Sequence, residues 1–318
     1  MQAVGRPDLT ALEDLLLHRG SPLGGAALTP RAIAHAVTAS RQEFGACRYT
    51  ALADALPQRI AAAQALGDAE HPAWSATAVA ELYCTATRLC VKLGEDGLAA
   101  VTADRALTAA LGGADALTAA EAHRMVSSAW RRQGRYARAT DVAIAAAQAL
   151  AADRTAPRAA RLSVQGNLYA TAAYSAAKQG DRHTAHLLIT EARATATRLG
   201  HDHAPHGSFF GPTQVLLHQI SISHLLGDAG QAIDHARHID TTRLPTRERQ
   251  ARYWIDVARA FAQWNKPEPC YRALRAAEQA APQEVRRASV RTMATALMRH
   301  DRTLTGVQTF ARRIGALT

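Results

Sequence analysis

The chain has 318 residues, enough for two ordinary domains or one long array of repeats. Alanine dominates, aromatic residues make up only 5 %, and β-branched runs are short, a composition that favours helix and argues against a sheet protein. No apolar stretch approaches the length of a bilayer span, and Met1 to Asp8 lacks the basic-then-apolar layout of a secretion signal, so a cytoplasmic protein is expected. The formal charge of +10 is unevenly spread, because residues 240–318 carry 15 Lys+Arg against 7 Asp+Glu. That basic end reads first as a solvated face, with contact to nucleic acid or phosphate as the alternative.

In chain order, Asp8 to His18 reads as a short amphipathic helix and Ser21 to Ala27 as a Gly/Pro linker. Thr29 and Pro30 supply a cap and a first-turn proline for a helix to about Glu43. A second helix follows from about Cys47 to Leu66, with Tyr49, Leu52, Leu56 and Ile60 on one face. Beyond it a unit of helix, turn and helix recurs, its turns at Gly94, Gly134, Gly180, Gly227 and Asn265. The spacings of 40, 46, 47 and 38 residues are longer and less regular than a strict tetratricopeptide period of about 34.

Five residues after each turn stands a small side chain: Ala99, Ala139, Ala185, Ala232 and Cys270. Nine after stand Ala103, Ala143, Ile189, Ala236 and Leu274, and twelve after stand Ala106, Ala146, Ala192, Ile239 and Ala277. Positions i, i+4 and i+7 share one helix face, so these form the seam along which the second helix presses on the first. On the first helix, Tyr83, His123, Tyr169, Leu216 and Trp254, eleven before the turn, are expected to face the core, with Cys90, Trp130, Ala176, Ser223 and Phe261 four before it. Pro282 should end the last second helix, and helices over Gln283–Arg299 and Thr303–Ile314 should cap the array. The expected fold is thus all-α, a right-handed superhelix of tetratricopeptide-like hairpins, with residues 1–44 as an N-terminal cap or linker, 45–282 as the array and 283–318 as the C-terminal cap.

Such an array carries a concave wall built from its first helices. The register assigns to it Glu81, Cys84, Arg88 and Val91; Glu121, Arg124, Ser128 and Arg131; Asn167, Ala170, Tyr174 and Ala177; Gln214, Leu217, Ser221 and His224; and Arg252, Ile255, Arg259 and Ala262. The connection from Gly200 to Thr213 is unusual in holding Phe209 and Phe210 side by side, which must find burial near the groove mouth. The expected binding set is Glu121, Arg124, Ser128, Arg131, Asn167, Tyr174, Phe209, Phe210, Thr213, Gln214, Ser221, His224, Arg252 and Arg259. Mixed polar and apolar groups suit a peptide, a polar small molecule or a protein partner.

Catalytic motifs are absent: no G-x-S-x-G, no P-loop, no G-x-G-x-x-G after a strand and no H-E-x-x-H. No cofactor is expected. His201, Asp202, His203 and His206 crowd one loop, but no cysteine or spaced acidic pair completes a metal set, and they read as solvated or hydrogen-bonding groups. Cys47, Cys84, Cys90 and Cys270 form no C-x-x-C pair and are expected reduced and buried.

Several segments resemble the tetratricopeptide-like C-terminal sensor region of actinobacterial XRE-type transcriptional regulators. They are Tyr49 with Leu52-Ala53-Asp54-Ala55-Leu56-Pro57, Val91-Lys92-Leu93-Gly94, Phe210-Gly211-Pro212-Thr213-Gln214-Val215, Leu226-Gly227-Asp228, Leu244-Pro245 with Glu248-Arg249, Ala281-Pro282-Gln283-Glu284-Val285-Arg286, and Ala311-Arg312-Arg313-Ile314-Gly315. The resemblance runs from about residue 45 to the end, and F-G-P-T-x-V is its most specific part. It implies a helix-turn-helix domain ahead of Tyr49, for which Met1 to Phe44 leaves no room. A non-enzymatic regulator is therefore expected, one that senses a ligand and works through a DNA-binding partner protein. A scaffold without ligand, or nucleic-acid contact through Arg286, Arg287, Arg291, Arg312 and Arg313, is the alternative.

Overall fold

A computed structural model of the chain describes residues 7–17, 29–69, 71–204 and 207–317. The linker expected at Ser21 to Ala27 lies outside the described residues, as does His206. Fifteen α-helices are described: α1 (Thr10–Leu17), α2 (Pro30–Gly45), α3 (Tyr49–Ala69), α4 (Pro72–Leu93), α5 (Asp96–Gly112), α6 (Ala116–Arg132), α7 (Tyr136–Ala152) and α8 (Arg158–Gln179). They continue as α9 (Arg182–Leu199), α10 (Pro212–Leu225), α11 (Ala229–Arg237), α12 (Arg247–Gln263), α13 (Pro267–Ala280), α14 (Ala288–Leu297) and α15 (Val307–Arg313). Among the described residues no helix is long and apolar enough to cross a membrane.

Local chemistry sets these limits. Thr29 Oγ1 accepts the Ala32 amide at 3.2 Å and Pro30 opens α2. The five repeat turns all take the left-handed conformation, with φ of 80° at Gly94, 77° at Gly134, 84° at Gly180, 90° at Gly227 and 54° at Asn265. Glycine adopts this region without strain and asparagine tolerates it, which is why the turns were legible as punctuation. α13 ends at Ala280, two residues before Pro282. The C-terminal cap is more broken than expected: Glu284–Arg286 and Met298–His300 are 3₁₀ turns flanking α14.

The small-residue seam is buried throughout. Ala99, Ala139, Ala185, Ala232 and Cys270 have no solvent exposure, and the residues nine and twelve after each turn are buried with them. On the first helices the core face is wider than expected and takes in the residue before the expected one. Leu82, Ala122, Leu168, Val215 and Tyr253, twelve before the turn, are all buried. One position later Tyr83 is buried, Tyr169, Leu216 and Trp254 are half-buried but packed on the core, and His123 is half-buried; of the set four before the turn Cys90, Ala176 and Ser223 are buried and Trp130 and Phe261 pack on the core.

The even-numbered helices stand side by side in the order α2, α4, α6, α8, α10, α12, each touching the next, and the odd-numbered helices back them. α12 then returns to α2, so these six helices form a closed ring. Apolar and polar contacts seal the seam. Ala251 of α12 and Ala281 belong to the same apolar cluster as α2–α4, and a Cβ on Gly45 would meet the Thr246 side chain at 2.9 Å. The Lys92 ammonium of α4 is sandwiched between the Glu248 and Glu284 carboxylates, the second at 2.9 Å, and the Tyr49 hydroxyl donates to Glu284 at 2.5 Å. Glu284 is fully buried.

The loop between α9 and α10 is pinned rather than loose. His203 and Phe210 exchange both backbone hydrogen bonds at 2.8 Å, and Asp202 Oδ1 accepts the Thr213 amide at 3.1 Å, capping α10. Phe210 enters the core against Gly166 of α8, where a Cβ would lie inside the ring's van der Waals surface.

Two substitutions test this packing. Gly166→Ala should gain helix propensity, about 1 kcal/mol in an open helix, yet lower stability by roughly 1–3 kcal/mol through overpacking, measured as the urea midpoint. Adding Phe210→Leu should return part of the loss. Lys92→Met leaves two buried carboxylates facing each other without their cation, so a drop of about 3–5 kcal/mol is expected in the same assay.

Candidate functional site

The ring encloses a cavity of about 630 Å³. Every helical residue that lines it comes from an even-numbered helix, and Ala46, Ala204, Gly207, Ser208, Phe209, Pro245 and Thr246 complete the wall. Apolar surface comes from Phe44, Val91, Met125, Tyr174 and Phe209, and the polar surface is strongly basic: Arg41, Arg88, Lys92, Arg124, Arg131, Arg247, Arg249 and Arg252 line it against the single carboxylate Glu248. Low-dielectric walls intensify such a field, so the interior favours anions.

Carboxylates set just behind the wall hold most of these cations. Glu121 is buried and takes both Arg88 and Arg124, the latter through Nε at 2.8 Å. Arg41 pairs with Glu81 at 2.5 Å, Lys92 with Glu248 and Glu284, and Arg252 with Asp256 at 3.7 Å. Burial alone would raise the Glu121 carboxyl, but the Arg124 and Arg88 guanidiniums hold it down at about 2.

Arg131 and Arg249 have no carboxylate partner among the described residues. Arg131 donates to Ser128 and Ser175, both at 3.1 Å, and lies 5.0 Å over the Tyr174 ring. Arg249 donates to Gln214 Oε1 and lies 4.6 Å over the Phe209 ring. Burial, joined by the Arg252 and Arg124 charges, outweighs the opposing pull of Tyr174 on Arg131 and of the Glu248 carboxylate on Arg249 and pushes both guanidiniums down to about 10, below the ordinary arginine value though still cationic at neutral pH. His218 lines the same cavity. Its Nδ1 is buried with no hydrogen-bond partner. Burial and then the Arg252, Arg249, Arg124 and Arg131 charges hold the imidazole neutral, well below its usual pKa.

Of the expected binding set, Arg124, Ser128, Arg131, Asn167, Tyr174, Phe209, Gln214 and Arg252 share this cavity. Glu121 stands behind it as the anchor of two arginines. The others lie elsewhere. Phe210 is in the core, Thr213 is at the capped start of α10, Ser221 and Arg259 bind Asp256 at 2.7 Å each, and His224 meets Gln263 at 3.1 Å. The register missed Met125, Thr171, His218 and Arg249, which also line the cavity. The signal was present: Met125 and His218 each follow an expected wall residue by four, and Arg249 precedes Arg252 by three, so helical periodicity puts them on the same face.

Beyond the Lys92 seam a second space of about 720 Å³ is lined by Tyr49, Arg132, Arg286, Arg287 and Arg291, so three of the five arginines of the basic end face it. Arg313 of that end is instead bound to Glu278 at 2.6 Å. The four cysteines are free and buried, and burial pushes each thiol up to about 12, which keeps it protonated. Among the described residues no three His, Cys, Asp or Glu side chains converge as a metal site, and His201 and His203 pack ring to ring at 5.9 Å. No family model matches the chain, and no curated protein is recognisably similar to it in sequence.

The buried titratable groups set the acid limit of the fold. Glu121 sits near 2 when folded and near 4.5 when unfolded, so its contribution, about 3 kcal/mol, is complete above the unfolded value and lost as pH falls toward 2. His218 acts earlier. The unfolded chain protonates it below 6.5 and the folded chain does not, so stability falls with pH from that point. In a series of thermal midpoints against pH, His218→Gln should flatten the limb between 6.5 and 4.5 and leave the steeper one below it.

Proposed function

We propose that this chain is a non-enzymatic regulatory protein that binds a small molecule in the cavity enclosed by its helical ring. The observation that carries the reading is the pairing of a mixed-polarity cavity of about 630 Å³ with a buried imidazole nitrogen left without a partner and two guanidiniums that form no ion pair among the described residues. Buried polar groups in folded proteins are almost always satisfied, so unsatisfied ones gathered at a single cavity mark the place of a missing group. The volume falls within the range of small-molecule sites.

A binder is favoured over a catalyst by the engagement of the ionisable groups. Glu81, Glu121, Glu248, Glu284 and Asp256 are each committed to cations, and His218 has no carboxylate to orient or charge it. A ligand touching Arg41, Phe44 and Lys92 on one side of the seam and Glu248, Arg249 and Arg252 on the other would hold the ring shut, so that occupancy is read out at the α2–α12 contact.

The organisation supports a tetratricopeptide-like superhelical array wound until its ends meet, in keeping with the resemblance to the sensor regions of XRE-type regulators. Its most specific stretch, Phe210 to Val215, directly follows the residues that bring Ser208 and Phe209 to the cavity. On that reading the protein acts in the cytoplasm and passes the state of its ring to a DNA-binding partner. Native mass spectrometry after incubation with the small-molecule fraction of a cell extract should show a bound mass. Ser128→Trp or Thr171→Trp, which place an indole in the cavity, should abolish it while preserving the circular dichroism spectrum. A wild-type protein that acquires no mass, or blocked variants that still do, would overturn the proposal.

A further inference from the structure

Resting on the reading of the central cavity as a ligand site, we propose that its occupant is an organic phosphate: a phosphoryl group held between Arg131 of α6 and Arg249 of α12 beside His218 of α10, with its carbon body against the apolar wall. The counter-charges point to a dianion. Eight cations line the wall; setting aside Arg247, which is exposed, the seven others, Arg41, Arg88, Lys92, Arg124, Arg131, Arg249 and Arg252, face five carboxylates, a surplus of two even with every carboxylate credited to the wall. The surplus resides on Arg131 and Arg249, which lean on the faces of Tyr174 and Phe209 and on neutral oxygens for want of an anion. A phosphate monoester carries about −1.5 to −2 charges at neutral pH and three acceptor oxygens, so one such group neutralises both.

The directions of approach favour a phosphoryl group over a carboxylate. The donors come from three separate helices around the ring, and a tetrahedral acceptor receives hydrogen bonds from several sides, whereas a planar carboxylate is satisfied by one guanidinium fork. His218 adds the group that tells a phosphate from a simple ion pair. Surrounded by guanidiniums it remains neutral, with one N–H to donate and one lone pair to accept. An oxygen of the phosphate dianion accepts the N–H, which, carried on Nδ1, satisfies the atom left without a partner. Size completes the case. The cavity is too large for inorganic phosphate alone, and Phe44, Val91 and Met125 offer no hydrogen bonds, so the rest of the molecule is a carbon skeleton.

Phenyl phosphate is the probe. Titration calorimetry should show it binding to the wild type at neutral pH more tightly than inorganic phosphate, and more tightly than benzoate or phenol, which share its ring. Arg131→Gln and Arg249→Gln should each weaken binding about tenfold or more, the scale of a charge-assisted hydrogen bond. Arg302→Gln and Arg312→Gln, exposed and away from the cavity, should leave it unchanged. Because each inner variant removes a buried cation without a counter-ion, the ligand-free melting temperature should hold or rise, which separates a ligand role from a folding one. Binding that ignores Arg131 and Arg249, or that follows Arg302 and Arg312, would overturn the proposal. So would a carboxylate or neutral molecule occupying the cavity while phenyl phosphate fails, an outcome that leaves the small-molecule reading standing. Undiminished phenyl phosphate binding in Ser128→Trp would sink both.

Discussion

Lys92 sits where the first and last parts of the chain meet, its ammonium between two carboxylates supplied from more than a hundred and fifty residues away in sequence. Charges so buried are costly unless their geometry leaves nothing unpaired, and here Tyr49 and Arg287 satisfy what Lys92 leaves open on Glu284. Apolar packing of Ala251 and Ala281 on the N-terminal core adds the non-directional part. A row of helical hairpins held only by nearest neighbours has two free ends and an open groove. With this contact it has none, and the groove becomes a chamber.

Closure changes the meaning of every polar group on the inner wall. On an open concave surface an arginine is hydrated and its pairing contributes little. Inside the ring each charge has to be answered from within, and the chain answers most of them with carboxylates set one layer back. Glu121 serves Arg88 and Arg124, and Asp256 serves Arg252 and Arg259. The pattern stops at Arg131, Arg249 and His218, on three different helices that face one another across the space. A structural network would have been completed there by a mutual carboxylate. Its absence there, within a wall otherwise paired, is what the proposed binding site rests on.

Much of the local architecture was legible in the residues. Gly94, Gly134, Gly180, Gly227 and Asn265 marked the turns because only glycine or asparagine enters the left-handed region cheaply, and the alanines at fixed distances after them marked the seam because close backbone approach excludes anything larger. Eight residues of the expected binding set do share the cavity. The errors were of width and of depth. At the middle of α6, α8 and α10 the inner wall also takes in the residue after the expected Arg124, Ala170 and Leu217, so Met125, Thr171 and His218 were missed, and Phe210 was grouped with Phe209 although Phe209 lines the cavity and Phe210 enters the core.

By itself the sequence determined helix, turn and hairpin, since those depend on interactions within a few residues: propensity, capping, proline and the period of small side chains. It also carried the excess of arginine, though not where that excess would be concentrated. Only the tertiary structure decided that α12 returns to α2, that the basic C-terminal quarter supplies the far wall of a chamber, and that His218 is left alone among guanidiniums. Those outcomes depend on the accumulated tilt of a dozen helix pairs, each a small packing angle invisible to any local window, and on pairings between residues that no spacing rule connects.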